Sequence, residues 1–358
     1  MSAQPYFSII VPTFNAAETL EASLNSVTNQ GFTDWECLVV DDGSQDASLT
    51  IANDRASQDP RILVFSERIN RGPGPPSNFG LSRCTGKYVL FLHSDDELRP
   101  GALDALFTRA EEKSPDLLFF GAIGRQGDRS QPLHNEDLAR ELSQTNRNLC
   151  VEDDVRLLFW PPAAWTRCYK RTFLNEWGFS FPDGSYEDIP WSMETTLAAR
   201  SISVLNFPVY TYWTRGSNSS ITTSLSENSL ARVDQVRVAR EHLERFDQTH
   251  LPRKELFSLM SIHLIWANLA AEKTIPARLR TSFFETCSVE LQRWERFSGD
   301  ANAKSKQTLF PEVERRRLAR IMLSGDYRNW LRRMRIRQHS RKLKRYLNPN
   351  RWGIFKAR

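Results

Sequence analysis

Five short apolar runs, at 7–11, 36–40, 61–65, 88–92 and 117–120, recur through the first 121 residues, separated by stretches of helical spacing near 18–29, 45–56, 75–83 and 100–112. Nearly unbroken apolar runs of strand length suit parallel strands buried on both faces, and the helices between them can supply the cover. The pattern predicts an α/β domain with a mostly parallel central sheet flanked by helices. A fold by itself carries no function, so the chemistry has to be sought in what stands at the strand ends.

The pattern changes after residue 121. Residues 122–150 are polar and punctuated by Gly and Pro, which reads as an irregular insertion or linker. Residues 151–223 alternate short apolar pieces with polar loops rich in Trp and Tyr. Residues 226–247 regain helical spacing, with Leu230, Val233, Val236, Val238 and Leu243 supplying much of an apolar face. Residues 255–298 also read as helical, and 313–347 contain a basic amphipathic helix.

Charge is distributed unevenly. Residues 315–358 hold 16 Lys and Arg against the single acid Asp326, whereas the first 314 residues hold 32 basic and 42 acidic side chains. A basic tail on an acidic body suggests an anionic partner. An anionic membrane surface suits the interleaved Leu, Met, Trp and Tyr; a basic helix packed on the body is the plainer alternative. No nucleic-acid partner is expected, because no reader motif accompanies the charge.

The five cysteines are scattered and odd in number, which argues against a disulfide framework and fits a reducing compartment. The opening MSAQPYFSIIVP lacks the basic and long apolar regions of a secretory signal. No run approaches 18 apolar residues, so a membrane span is not expected. The expected location is cytoplasmic, with the membrane's cytoplasmic face open to the tail.

Three polar loops follow predicted strands: Pro12-Thr13-Phe14-Asn15, Asp41-Asp42-Gly43-Ser44-Gln45-Asp46 and His93-Ser94-Asp95-Asp96-Glu97. In an open α/β sheet, ligands gather beyond the carboxyl ends of the strands. Asp41 at a strand end can accept from a base N–H or a ribose hydroxyl; alternatively the Asp-Gly pair simply makes a turn. The adjacent carboxylates Asp95 and Asp96 repel unless a cation or strong donors compensate. Mg²⁺ or Mn²⁺ bridging to a diphosphate would do so; helix capping would also account for the acids. His93 can bind metal, contact phosphate or orient Asp95. A dinucleotide fingerprint, a phosphate-cradling GxxxxGK[ST] loop and a GxSxG elbow are all absent.

Taken together, SIIVPTFNAAETLEASLNSVTNQ, WECLVVDDGSQD, INRGPGPPSNFGLSRCTGKYVLFLHSDDELRPGAL and SYEDIPW resemble the family-2 glycosyltransferases of the GT-A fold that build bacterial surface polysaccharides. The resemblance covers residues 6–122 and, more loosely, 155–223. It implies a transferase domain over 1–223, with a nucleotide-binding part at 1–121 and an acceptor-side part at 151–223, followed by a helical region at 224–358. It implies nucleotide contacts from Pro12, Thr13, Asn15, Asp41 and Asp42, with Asn70, Arg71 and Asn78 bordering the base and diphosphate. The family's Asp-Ala-Asp-Asp metal motif falls on His93-Ser94-Asp95-Asp96. Asp95 is then the foremost ligand, with Asp96 and His93 beside it and Ser94 at the donor.

Glu187-Asp188 matches the family's base motif, which implies Asp188 as base and Glu187 as its neighbour or an acceptor contact. Arg215, Ser219 and Ser220 resemble a segment that closes over the diphosphate. Trp165 and Trp191 offer flat faces to an acceptor sugar, or pack as local core. The implied activity is inverting transfer of a hexose or N-acetylhexosamine from a nucleotide sugar, UDP by default, with Mn²⁺ or Mg²⁺. The acceptor is a glycan or a lipid-linked glycan. The competing readings are a nucleotidyltransferase, for which PTFNAAETL lacks the Gly, Arg and Lys cluster, and a non-enzymatic glycan or polyanion binder with a degenerate site.

Overall fold

The computed structural model describes residues 4–134 and 136–214, with six isolated positions beyond them (237, 238, 281, 284, 285 and 289), all helical. The chain divides into two compact units, Met1–Gly216 and Ser217–Arg358. The basic tail at 315–358, Arg215, Ser219 and Ser220 lie outside the described residues, as does most of the region expected to be helical after residue 224. Among the described residues no helix is long and apolar enough to cross a membrane.

Strands β1 (Phe7–Thr13), β2 (Trp35–Asp42), β3 (Ile62–Glu67) and β4 (Tyr88–Phe91) alternate with helices α1 (Leu20–Thr28), α2 (Ser48–Gln58) and α3 (Gly74–Arg83). These four strands are mutually parallel, in the order β3-β2-β1-β4. Their apolar runs are the signal that predicted them, and Phe7, Ile9, Ile10, Val11, Leu38, Val39 and Val40 are fully buried. In α1 the buried Leu20, Leu24 and Val27 recur at helical spacing along one face. Helix α3 lies close on the sheet because Gly80 has no side chain: a Cβ there would stand 2.5 Å from Ile10 Cγ2.

The expectation of a mostly parallel sheet fails beyond β4. The two-residue strand β5 (Glu97–Leu98) and helix α4 (Ala102–Lys113) lead to β6 (Leu117–Gln126). Strand β8 (Arg167–Lys170) then inserts between β4 and β6, antiparallel to both. Strand β9 (Ile202–Trp213) runs parallel to β6 and antiparallel to β5. The sheet is therefore mixed, because the chain after β6 returns without the crossover that a parallel strand requires.

Residues 122–150 are not an irregular linker either. β6 continues to Gln126 and pairs with β7 (Arg129–Pro132), and α5 (Glu136–Ser143) buries Leu138, Ala139 and Leu142. All four residues of β7 are exposed, so no apolar alternation announced that strand. Helices α6 (Arg171–Trp177) and α7 (Asp188–Ala198) complete the unit.

Candidate active site

The parallel register sets Thr13 of β1 beside Asp41 of β2, and Asp42 beside Glu67 of β3. Asp41 and Asp42 are buried. Asp41 Oδ2 accepts from the Ser44 N–H and the Ser66 hydroxyl, both at 3.2 Å. Asp42 Oδ2 accepts from the N–H groups of Arg71 and Gly72, both at 2.9 Å. The second oxygen of each carboxylate, Oδ1, is buried and accepts no hydrogen bond from the protein. A buried acceptor left without a donor is costly. Each, at the end of β2, is an acceptor that a ligand N–H or O–H group would satisfy. Burial raises the Asp42 carboxyl above its usual range, against the pull of the Arg71 and Gly72 donors.

The first two loops are joined to each other. Asn15 adopts a left-handed backbone, φ 47°. Its N–H donates to Ser44 Oγ at 2.9 Å, and its Oδ1 accepts from the Gln45 N–H at 2.8 Å. Asp46 accepts from the Ala17 N–H at 3.0 Å. Pro12 is half-buried, and buried Thr13 donates its hydroxyl to the Val11 carbonyl at 3.1 Å. At Gly43, φ is +75° and a Cβ would meet the Arg68–Ile69 backbone at 3.1 Å, so the loop carrying Asn70 and Arg71 sits directly against the Asp41–Asp42 turn. Asn70 Oδ1 accepts from the Gly72 N–H at 2.8 Å. The Arg71 guanidinium is more than half exposed and 3.6 Å from Glu67.

The third loop is held from two sides. Helix α1 donates Ser23 Oγ to the His93 carbonyl at 3.2 Å and Thr19 Oγ1 to the Ser94 carbonyl at 2.9 Å. From β9, Tyr210 donates its hydroxyl to Asp96 Oδ2 at 2.9 Å and Trp213 donates its N–H to Asp96 Oδ1 at 2.8 Å. His93 Nδ1 stands 3.7 Å from Asp96 Oδ2. One ligand atom from each of His93, Asp95 and Asp96 lies within 4.8 Å of the others. Such a His/Asp/Asp cluster suits a divalent cation that accepts oxygen and imidazole ligands.

Glu187 precedes α7 and Asp188 opens it, after Tyr186 in a left-handed conformation, φ 63°. Asp188 accepts from the Ala164 N–H and lies within electrostatic reach of His93 and Arg167. His93 thus acts electrostatically on Asp188, a residue far away in sequence. Burial raises the Asp188 carboxyl, and these three neighbours oppose the shift. Glu187 is pushed well up by burial and by the adjacent Asp188 charge.

Three expected contacts look different in the fold. Asn78 spends both polar atoms of its amide on Phe181, donating to its carbonyl at 2.8 Å and accepting from its N–H at 2.7 Å. It thereby ties α3 to the loop that carries Glu187 and Asp188. Trp191 is fully buried and stacked 4.0 Å from Phe181 at 8°. Of the two readings for Trp191 the core reading holds, because a side chain with no exposed surface cannot face an acceptor. Trp165 is also buried, stacked on Tyr210 at 4.6 Å and Tyr212 at 5.6 Å, with its edge toward His93.

Two residues near the site gave little sequence signal. Arg167 is completely buried and donates to the carbonyls of Ser192 and Pro161 and to Thr196 Oγ1 at 3.1, 2.8 and 2.7 Å. It joins α7 to the segment supplying the Ala164 N–H. Tyr210 looked like one aromatic among several; an arginine inside the strand-like TRCYK was the only hint of the first.

Residues 8–174 match the family model described as glycosyl transferase family 2. A cholesterol galactosyltransferase of Borreliella burgdorferi is 30% identical over 232 residues, covering 63% of this chain and 64% of that protein. A GalNAc(5)-diNAcBac-PP-undecaprenol beta-1,3-glucosyltransferase of Campylobacter jejuni is 35% identical over 138 residues, covering 38% of this chain and 45% of that protein. The matched segments therefore span less than two thirds of these relatives' own length. Among solved structures, S. aureus TarS 1-349 in complex with UDP-GlcNAc superimposes with a TM-score of 0.59 at 20% identity, covering 86% of this chain and 95% of that one.

Proposed function

Because residues 8–174 of this chain are a family-2 glycosyltransferase domain, we propose that the protein moves a sugar from a nucleoside diphosphate donor to an acceptor hydroxyl, inverting the anomeric centre. The observation that carries the reading is the cluster of His93, Asp95 and Asp96 at a strand end, with one ligand atom of each within 4.8 Å of the others.

In this reading the buried Oδ1 atoms of Asp41 and Asp42 accept from the nucleotide's base N–H and ribose hydroxyls, within a cradle closed by Pro12, Thr13, Asn15, Asn70 and Arg71. Asp95 and His93 would hold Mn²⁺ or Mg²⁺, which when bound neutralises charge building on the departing diphosphate. Ser94 sits beside them. Asp188 takes the proton of the attacking hydroxyl, a step that needs the carboxylate within hydrogen-bond reach. The Ala164 N–H orients it, and burial together with the Asp188 charge pushes the neighbouring Glu187 carboxyl well up. Arg215, Ser219 and Ser220 follow Trp213 and would meet the diphosphate.

UDP is the donor nucleotide we favour and a hexose or N-acetylhexosamine the sugar, in keeping with the UDP-GlcNAc bound to TarS. A lipid-linked or surface glycan is the acceptor class we favour, in keeping with the undecaprenol-linked glycan named for the Campylobacter jejuni relative, whereas the Borreliella burgdorferi relative is named for a sterol. We place the transferase domain at 1–223, the donor part at 1–121 and the acceptor part at 151–223. The protein then works at the cytoplasmic face of a membrane, which the 315–358 tail approaches through its charge.

The direct test is a ligand-detected NMR screen of UDP-, GDP- and dTDP-sugars with Mn²⁺ and again with EDTA. A UDP-sugar should give the strongest signal and lose most of it in EDTA. If the folded protein binds no nucleotide sugar, the reading falls. Asn78→Ala probes the acceptor side separately. Releasing Phe181 should cost about 10- to 100-fold in turnover, as misplacement of a reacting group by 1 Å does. UDP affinity measured by calorimetry should stay close to wild type, because both Asn78 polar atoms already serve Phe181.

A further inference from the structure

We infer that Asp96 is a positioning residue rather than a cation ligand: with Tyr210 it latches the end of β9 onto the His93–Asp95 loop. The assignment rests on the donor-site reading above and divides the labour within the His93, Asp95 and Asp96 cluster.

The buried Asp96 carboxylate receives a short hydrogen bond on each oxygen, from the Tyr210 hydroxyl at 2.9 Å and the Trp213 N–H at 2.8 Å. Hydrogen bonds to an ionised acceptor are about twice as strong as neutral ones, and each here takes one lone pair of its oxygen and fixes the direction in which the carboxylate faces. The Tyr210 hydroxyl in turn accepts from the His93 N–H at 3.0 Å. One phenol oxygen therefore bridges the first and last residues of His93-Ser94-Asp95-Asp96, setting the curvature of the loop that presents Asp95. The phenol ring is held by Trp165, stacked at 4.6 Å.

The side-chain bonds reinforce the β5 edge of β9, where the strand pairing is slight; the other edge of β9 is paired with β6 as far as Trp213. β5 offers only Glu97 and Leu98 to β9, opposite Thr211 and Tyr210. The Arg99 N–H adds one bond to the Val209 carbonyl at 2.8 Å, and Trp213 Nε1 donates to Glu97 at 3.0 Å. Two residues of ladder specify register weakly. The Asp96 bond to the Trp213 N–H adds a second tie at the last residue of the strand, whose register β6 already sets through Arg125.

The test uses full-length protein carrying Tyr210→Phe, Asp96→Asn, both together, or Asp95→Ala. Phenylalanine keeps the stack on Trp165 and deletes only the hydroxyl. In thermal unfolding, Tyr210→Phe and Asp96→Asn should each lower Tm by about 3–6 °C, and the double variant should fall little below Asp96→Asn alone. Independent, additive losses, or no loss in Tyr210→Phe, would overturn the latch. Calorimetric titration with UDP, with and without Mn²⁺, supplies the second reading. Asp95→Ala should lose the Mn²⁺-dependent gain in affinity, while Tyr210→Phe and Asp96→Asn keep it and lose about tenfold in kcat. If Asp96→Asn loses that gain as completely as Asp95→Ala, Asp96 is a ligand and the inference is wrong. Should the wild-type protein show no Mn²⁺-dependent UDP binding, the donor-site reading fails by itself, and the thermal cycle still decides the latch.

Discussion

Asp188→Asn is expected to lower sugar transfer by about 10²- to 10⁴-fold, the contribution typical of a positioned general base. UDP affinity should change little, because Asp188 belongs to α7 and the nucleotide cradle to the ends of β1 and β2. The pH profile makes the assignment specific. Burial raises the Asp188 carboxyl above the ordinary aspartate value of 3.8, despite the opposing His93, Ala164 and Arg167. Only the deprotonated form accepts the hydroxyl proton, so kcat/KM should fall on acidification at a higher pH than for an exposed aspartate. That acid limb should disappear from the residual activity of Asp188→Asn.

Stability should move the other way. A carboxyl whose folded pKa is raised favours folding while protonated, and costs stability as pH climbs from its unfolded value through its folded one. Glu187 stands beside Asp188 and is itself pushed up. Removing the Asp188 charge should therefore raise Tm at neutral pH, and the gain should shrink toward acid. Wild-type turnover in Asp188→Asn would remove it as the base.

Asp95→Ala should have the second largest effect, about 10²-fold or more in donor affinity measured with Mn²⁺ present, on the scale of other electrostatic contacts to transferring groups. The half-buried Asp95 shares one cluster with His93 and Asp96, whose ligand atoms lie within 4.8 Å of one another. Asp96 is held by Tyr210 and Trp213, and in the proposed division of roles Asp95 carries the cation. The affinity of the variant in EDTA should match that of wild type in EDTA, since base and ribose contacts remain. Equal titrations of wild type and Asp95→Ala in Mn²⁺ would contradict the assignment.

Local patterning by itself determined the first half of the domain. The runs at 7–11, 36–40, 61–65 and 88–92 became β1 to β4: β1, β2 and β4 are buried on both faces and so apolar at almost every position, while the edge strand β3 is only partly covered. It also put the Asp41–Asp42 pair and the His93–Asp96 loop at strand ends, since each polar stretch begins directly after such a run. Patterning reports how a segment is solvated; it does not report which segment packs beside it.

For that reason the antiparallel β8 between β4 and β6, the exposed β7 and the short α5 went unseen. The same limit hid Asn78's attachment to Phe181, 103 residues away, and Tyr210's bond to Asp96, 114 residues away. Trp191 could be ascribed to core or to acceptor until its stacking on Phe181 was known. Partners so distant in sequence are chosen by the closing of the sheet, where burial makes every unpaired polar atom and every void costly at once. Only the tertiary structure carries that collective constraint.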